Sequence, residues 1–251
     1  MLLGARQECI AGGTDLQDKL AILKRFGYDF LELSLSRAEI AHLGPHAANS
    51  YRAAVAHSGL AIRSTSLGHF GGFAALPAAE RAVILQHIRA CVEFTAAIGA
   101  DTVLLATTEE RGSVDTYADV YAQALRPIAE AAVAAGVTLA LEHVGWYKPS
   151  QLAALVQAIS HPAIRIYFDM GNCLYVGENP LEQAQICAPF TAQLHIKGGP
   201  TTPLGAMPLV AVREMLEAGG FRGRGCLEIA ALAGDRPLAE ARGLLKLAGY
   251  S

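Results

Sequence analysis

Short apolar runs alternate with longer stretches of helical period along the whole chain. The runs fall near 7–11, 29–34, 61–66, 102–106, 137–142, 164–169, 191–196 and 225–229, and alternation of this kind is the pattern of βα units that build a parallel sheet. Eight strands are therefore expected, with helices filling the gaps. The first helix is expected to open at Thr14 or Asp15, whose side chains can cap free backbone N–H groups, and to stop near Gly27; Pro149-Ser150 introduces the fifth.

Residues two apart on a strand share a face. In the last four runs one phase reads Leu139, Leu141, Ile164, Ile166, Phe168, Leu194, Ile196, Leu227 and Ile229, a uniformly apolar face suited to packing on helices. The opposite phase is small or polar and carries Thr138, Ala140, Glu142, then Arg165, Tyr167, Asp169, then Thr191, Gln193, His195, then Cys226 and Glu228. Glu142, Asp169, His195 and Glu228 each close their run, at intervals of 27, 26 and 33 residues. One strand, one helix and two loops occupy about that length, so the four belong at equivalent ends of four consecutive parallel strands.

Taken singly, each has an ordinary structural use. Glu142 or Glu228 can cap a helix or pair with an arginine, Asp169 can form an Asx turn with Gly171, and His195 can be a hydrogen-bonded core histidine. Taken together they would bury uncompensated charge at one depth, which costs several kcal/mol per ion. Three oxygen donors and one nitrogen donor suit a divalent cation that removes that cost. The same requirement selects the architecture. In an open doubly wound sheet four adjacent strand ends span roughly three spacings of about 4.8 Å, too far for one ion, whereas the strand ends of a closed barrel face a common axis. The expectation is an α/β protein with a single (β/α)8 TIM barrel spanning residues 1–251.

Composition narrows the partners. The 251 residues match the usual size of such a barrel, about 250. The formal net charge of −3 and the absence of a Lys/Arg run leave no electrostatic footprint for nucleic acid or an acidic membrane. Five scattered cysteines with no C-x-x-C pair argue against a disulfide framework or a zinc ribbon and point to the cytoplasm. The segment MLLGARQECIAGG lacks the basic and apolar regions of a secretory signal, and AAVAAGVTLAL falls short of the roughly 18 residues a membrane span needs.

In the first half, Glu32 and His69 are the polar candidates at strand ends, and either can bind substrate hydroxyls; Glu32 can equally be a buried partner for Arg165, and His69 a solvated loop residue. Trp146 and Phe70 can form an apolar wall or simply pack. Glycine-rich stretches follow the seventh and eighth runs, where barrels often hold phosphate, though glycine there can serve only the turns. No nucleotide-binding glycine motif is present.

The strand-end glutamate of LALEH, the D-x-G-N of FDMGN, the H-x-K of LHIKG and the final LEI, in that order, resemble the xylose-isomerase-like barrels and within them the sugar phosphate isomerase/epimerase group. The resemblance implies that Glu142, Asp169, His195 and Glu228 bind one divalent ion and that Glu142 and Glu228 also serve as the acid/base pair. It adds Asn172 and Lys197 to Glu32, His69 and Trp146 as candidate substrate contacts, and implies a homo-oligomer, dimer or tetramer. The chain departs from the group's common pattern at Gly198, where many relatives carry an acid after H-x-K, and at Asn172, where some free-ketose epimerases carry histidine.

A carbon acid beside a carbonyl loses its proton at neutral pH only if the enediolate is stabilised, which a chelating metal achieves. Two carboxylates on opposite sides of that carbon then give epimerisation, and return of the proton to the adjacent carbon gives aldose–ketose isomerisation. The expected function is a metal-dependent epimerase or isomerase of a small ketose or sugar phosphate, with Mn²⁺ preferred and Mg²⁺, Co²⁺ or Zn²⁺ tolerated. The competing expectations are a dehydratase of a keto-polyol or dehydroshikimate-type substrate, an abasic-site endonuclease, and a non-catalytic sugar-binding barrel.

Overall fold

The computed structural model describes residues 1–67, 70, 72–107, 114–145, 147–231 and 234–250, the side chains of 114 and 115 excepted. Eight parallel strands close into a barrel in sequence order, β1 (Leu3–Arg6), β2 (Phe30–Ser34), β3 (Ala61–Leu67), β4 (Thr102–Thr107), β5 (Thr138–His143), β6 (Ile164–Asp169), β7 (Thr191–Ile196) and β8 (Arg224–Leu227). Closure is made by β8 pairing with β1, with Gly4 opposite Cys226 and Ala5 opposite Leu227. Helices between successive strands run antiparallel to them and cover the outside, the arrangement expected for (β/α)8 topology.

Binary patterning accounts for both layers. Leu139, Leu141, Ile164, Ile166, Phe168, Leu194, Ile196 and Leu227 join one large apolar cluster with the helices, while Leu104, Ala106, Ala140 and Tyr167 form a separate small cluster inside the barrel. The two phases read from the sequence thus sort onto the two sides of the sheet. The helix Leu16–Arg25 starts where expected, with Asp15 accepting from the Asp18 N–H at 2.9 Å, and the chain then turns at Gly27, whose φ of 77° favours glycine. The helix Pro149–Ile159 begins with its proline in the first turn.

The first strand differs from expectation. It occupies Leu3–Arg6, and Gln7–Cys9 form a 3₁₀ turn. Its middle is Gly4, a poor strand former, where an added Cβ would lie 2.3 Å from the Phe30 ring. The ring fills the space a larger side chain would need, so packing against the neighbouring strand demands what propensity disfavours. The last strand also ends early, at Leu227; Glu228 extends the ladder by one bond, its N–H donating to the Ile196 carbonyl at 3.0 Å. Among the described residues, no helix is long and apolar enough to cross a membrane.

Candidate functional site

The four expected ligands meet at the C-terminal mouth of the barrel. One donor atom from each of Glu142, Asp169, His195 and Glu228 lies within 4.8 Å of the others. Asp169 and His195 are fully buried, Glu142 nearly so, and the Glu228 side chain is 22% exposed, which leaves one side of the cluster open. His195 Nδ1 lies 2.8 Å from Glu142 Oε1, 3.2 Å from Glu228 Oε2 and 3.9 Å from Asp169 Oδ2.

Local folding sets each side chain. Asp169 ends β6 and caps the short helix Met170–Tyr175, its Oδ1 accepting from the N–H groups of Gly171 and Asn172 at 2.8 and 2.9 Å. The Asx-type cap and the ligand role are therefore not alternatives, because the cap uses one oxygen and turns the other inward. That second oxygen, Oδ2, is buried without a hydrogen bond and is approached by the Lys197 ammonium at 2.7 Å. Lys197 also reaches Glu228 Oε2 at 3.0 Å.

Arg6, at the end of β1, completes the mouth. Its Nη1 donates to Glu228 Oε1 and its Nε lies 3.5 Å from Glu32 Oε1. The apolar run at 7–11 puts the first strand four residues late and so hides it; with β1 at 3–6, Arg6 stands at the strand end like the other site residues. Behind His195, Glu32 is fully buried and accepts from His195 Nε2 at 2.8 Å, Ser64 Oγ at 2.9 Å and Tyr167 Oη at 2.5 Å. Arg165, its anticipated partner, instead donates to the Pro189 carbonyl, so that pairing is corrected. Buried at 0% exposure, Glu32 reaches the mouth through His195.

Of the other expected contacts, Lys197 faces the mouth cavity of about 350 Å³ together with Arg6, Cys9 and Glu228. Asn172 lies beside Asp169 but commits its side-chain nitrogen to the His143 carbonyl at 2.9 Å, tying β5 to the short helix after β6. His69 and Trp146 lie outside the described residues. Phe70 is buried and packs against the His87 ring. The glycines after β7 serve close packing: a Cβ on Gly198 would lie 2.4 Å from the Thr202 carbonyl, and one on Gly199 2.4 Å from Leu174. An acid at position 198, as in many relatives, would require that loop to move.

The mouth gathers more acids than permanent cations. Four carboxylates (Glu32, Glu142, Asp169, Glu228) face two permanent cations (Arg6, Lys197), leaving two negative charges when His195 is neutral. Protons and any cation compete for the same oxygens and nitrogen. Burial, together with the charges of Glu228 and Glu142, pushes Asp169 up to about 7 even against Lys197. Burial would lower the His195 imidazolium, but Glu32, Glu228 and Glu142 raise it well above its ordinary value. Burial also works against ionised Glu228, yet His195, Lys197 and Arg6 hold its carboxyl well below the usual range. A divalent cation carries the charge needed to replace these protons, and one nitrogen with three oxygens is a donor set for Mn²⁺, Mg²⁺, Co²⁺ or Zn²⁺. Glu32, His195 and Cys226 also lie within reach of a common point, but burial raises the Cys226 thiol and disfavours the thiolate a metal would need.

The profile of the xylose isomerase-like TIM barrel family matches residues 20–247, and the chain belongs to that family. No curated protein matches the sequence. Among solved structures, the chain is similar to 3-keto-D-glucoside 4-epimerase (YcjR) from E. coli in its apo form, at 17% identity over 100% of both chains with a TM-score of 0.79. It is similar to the IolI protein with a bound zinc atom, at 17% identity over 99% of this chain and 96% of that one with a TM-score of 0.80. A third, D-psicose 3-epimerase in the presence of D-fructose, shares 13% identity over 98% of each chain with a TM-score of 0.80. At these identities the likeness is one of fold.

Proposed function

We propose that the chain is a divalent-metal-dependent epimerase or isomerase of a small ketose or sugar phosphate, with Glu142 and Glu228 as its proton-transfer pair. The observation that carries this reading is the convergence of three carboxylates and one imidazole, with donor atoms within 4.8 Å of one another, at the open end of the barrel. The names of the structurally similar proteins, two of them sugar epimerases and one holding zinc, agree with it. Glu142, Asp169, Glu228 and His195 would hold the ion, and Mn²⁺ fits a donor set dominated by hard oxygens. When bound, the ion supplies Lewis acidity for the charge that develops on a carbonyl oxygen during deprotonation of its neighbour.

The chain's own residues supply the rest. Glu228, exposed to the mouth and kept ionised by Arg6 and Lys197, is placed to take a proton from a substrate carbon. Glu142, from β5 across the cluster, is placed to give or take a proton on the other side. Lys197 lies where its ammonium can turn from Asp169 to a substrate oxygen, and the His69 and Trp146 loops, with Asn172, are further candidate contacts. A homo-oligomer in the cytoplasm belongs to the same reading.

Incubation of the metal-loaded protein with ketoses in deuterated water tests it. Label at the carbon next to the carbonyl, without loss of water and abolished by a chelator, is the expected result. An unsaturated product would assign the dehydratase instead, and sugar binding with neither exchange nor metal dependence would remove the enzymatic reading.

A further inference from the structure

Glu32 lies too deep for substrate, yet a continuous chain of hydrogen bonds ends on it. At the opposite end of the barrel the Arg224 guanidinium, which can only donate, points two nitrogens at Gln193 Oε1 at 3.4 and 3.3 Å. The Gln193 amide must therefore turn Nε2 the other way, and it donates to Tyr167 Oη at 2.6 Å and Ser64 Oγ at 3.0 Å. Each hydroxyl, having accepted there, directs its own proton to Glu32 Oε2, at 2.5 and 2.9 Å. Glu32 is thereby an acceptor throughout, and the Arg6 guanidinium 3.5 Å from Oε1 favours the ionised carboxylate. His195 Nε2, 2.8 Å from that oxygen, must carry a hydrogen. Nδ1 is then the nitrogen with a lone pair in neutral imidazole, and it is the one that faces Glu142, Asp169 and Glu228.

We infer that Glu32 is a positioning residue: oriented by Ser64, Tyr167, Gln193 and Arg224, it holds His195 in the Nε2–H tautomer and presents Nδ1 to the divalent ion. The inference rests on the metal reading above and reassigns Glu32 from substrate contact to support of the ion's histidine. All members except Arg224 are buried, so no water competes for the pattern. Glu32→Gln conflicts with it whichever way the amide turns, because the NH₂ group meets either the two hydroxyls already donating or the His195 Nε2–H. A carboxylate behind a ligating histidine typically governs metal affinity by roughly 10- to 100-fold.

Two measurements test this. Long-range ¹H–¹⁵N spectra of histidine-labelled, Zn²⁺-loaded protein, with His195→Gln used to assign the signals, are expected to show His195 protonated at Nε2 and metal-bound at Nδ1. Calorimetric titration with Mn²⁺ is expected to show Glu32→Gln binding roughly 10- to 100-fold more weakly than the parent. Metal on Nε2, or affinity of the variant within twofold of the parent's, overturns the inference while leaving the metal site standing. A parent that binds neither Mn²⁺ nor Zn²⁺ overturns the metal reading and this inference with it. Should Glu32→Gln fail to fold, the parent spectrum alone decides.

Discussion

Both ends of the barrel lumen gather charge, and they treat it differently. At the N-terminal end Arg224 meets Asp101, Thr102 and Gln193, one cation matched by one acid and two neutral acceptors. At the C-terminal end Glu32, Glu142, Asp169 and Glu228 crowd around Arg6, Lys197 and the single imidazole of His195. A larger cavity, about 790 Å³, opens at the balanced end, with Asp101, Thr102 and Arg224 in its lining, while the unbalanced end has only about 350 Å³. Volume and charge imbalance therefore point to opposite faces. A balanced pair has nothing further to bind, whereas unmatched buried charge is stable only when a ligand or protons complete it.

The contrast is broken most directly at Glu228. Glu228→Gln is expected to lower turnover by about 10²- to 10⁴-fold, the usual contribution of one positioned acid or base, in a steady-state assay on whichever ketose shows exchange. Equal activity of the variant would reduce the mouth to another structural charge cluster.

Next in size is the response to the ion. At a Mn²⁺ concentration 100 times the dissociation constant, stability should rise by about 2.7 kcal/mol, a midpoint increase of roughly 5 to 10 °C, and a chelator should reverse it. Asp169→Asn, which removes the negative charge from the inward-facing end of the side chain, should show little or no such increase in the same melts. If the increase survives in Asp169→Asn, the ion binds elsewhere.

Gly198→Ala sharpens the comparison without touching charge. Its Cβ would press on the Thr202 carbonyl at 2.4 Å, and overpacking of this kind costs about 1 to 3 kcal/mol, readable in urea unfolding. An unchanged midpoint would show that the loop after β7 yields, and with it that an acid at 198 is compatible with this site.

The smallest effect belongs to the balanced end. Burial alone would raise Asp101, but the Arg224 guanidinium holds its carboxyl below the ordinary value. A depressed folded-state value means the pair stabilises fully above the unfolded pKa of about 3.9 and loses that contribution as pH falls through the folded value. With the Asp101 side chain 42% exposed, the contribution is that of a surface pair, at most about 1 kcal/mol. Asp101→Asn should therefore melt slightly below the parent at pH 7 and together with it at acid pH, in matched thermal scans. A difference that persists in acid would assign the pair's effect to packing.

The convergence of Glu142, Asp169, His195 and Glu228 was legible because each stands in the inward phase of its own run and at its end, so register within a run sufficed to align them. The helix start at Asp15 and the turn at Gly27 were legible for the same local reason. Arg6 and the true first strand were not, because Gly4 suits a strand only when the Phe30 ring of the next strand occupies the space above it. Nor was the partner of Glu32: Arg165 shares the inward phase with Tyr167, but it lies two residues toward the N-terminal end and bonds Pro189.

By itself, then, the sequence determined the order of strands and helices, the side of the sheet each residue takes and the donors at four strand ends, since these follow from periodicity along one segment. Which residues meet across the lumen was decided by closure of the barrel. Closure sets β2 across the lumen from β6 and β7 and pairs β8 with β1, which no spacing along the chain encodes, and so sets Glu32 beneath His195 and Arg6 beside Glu228.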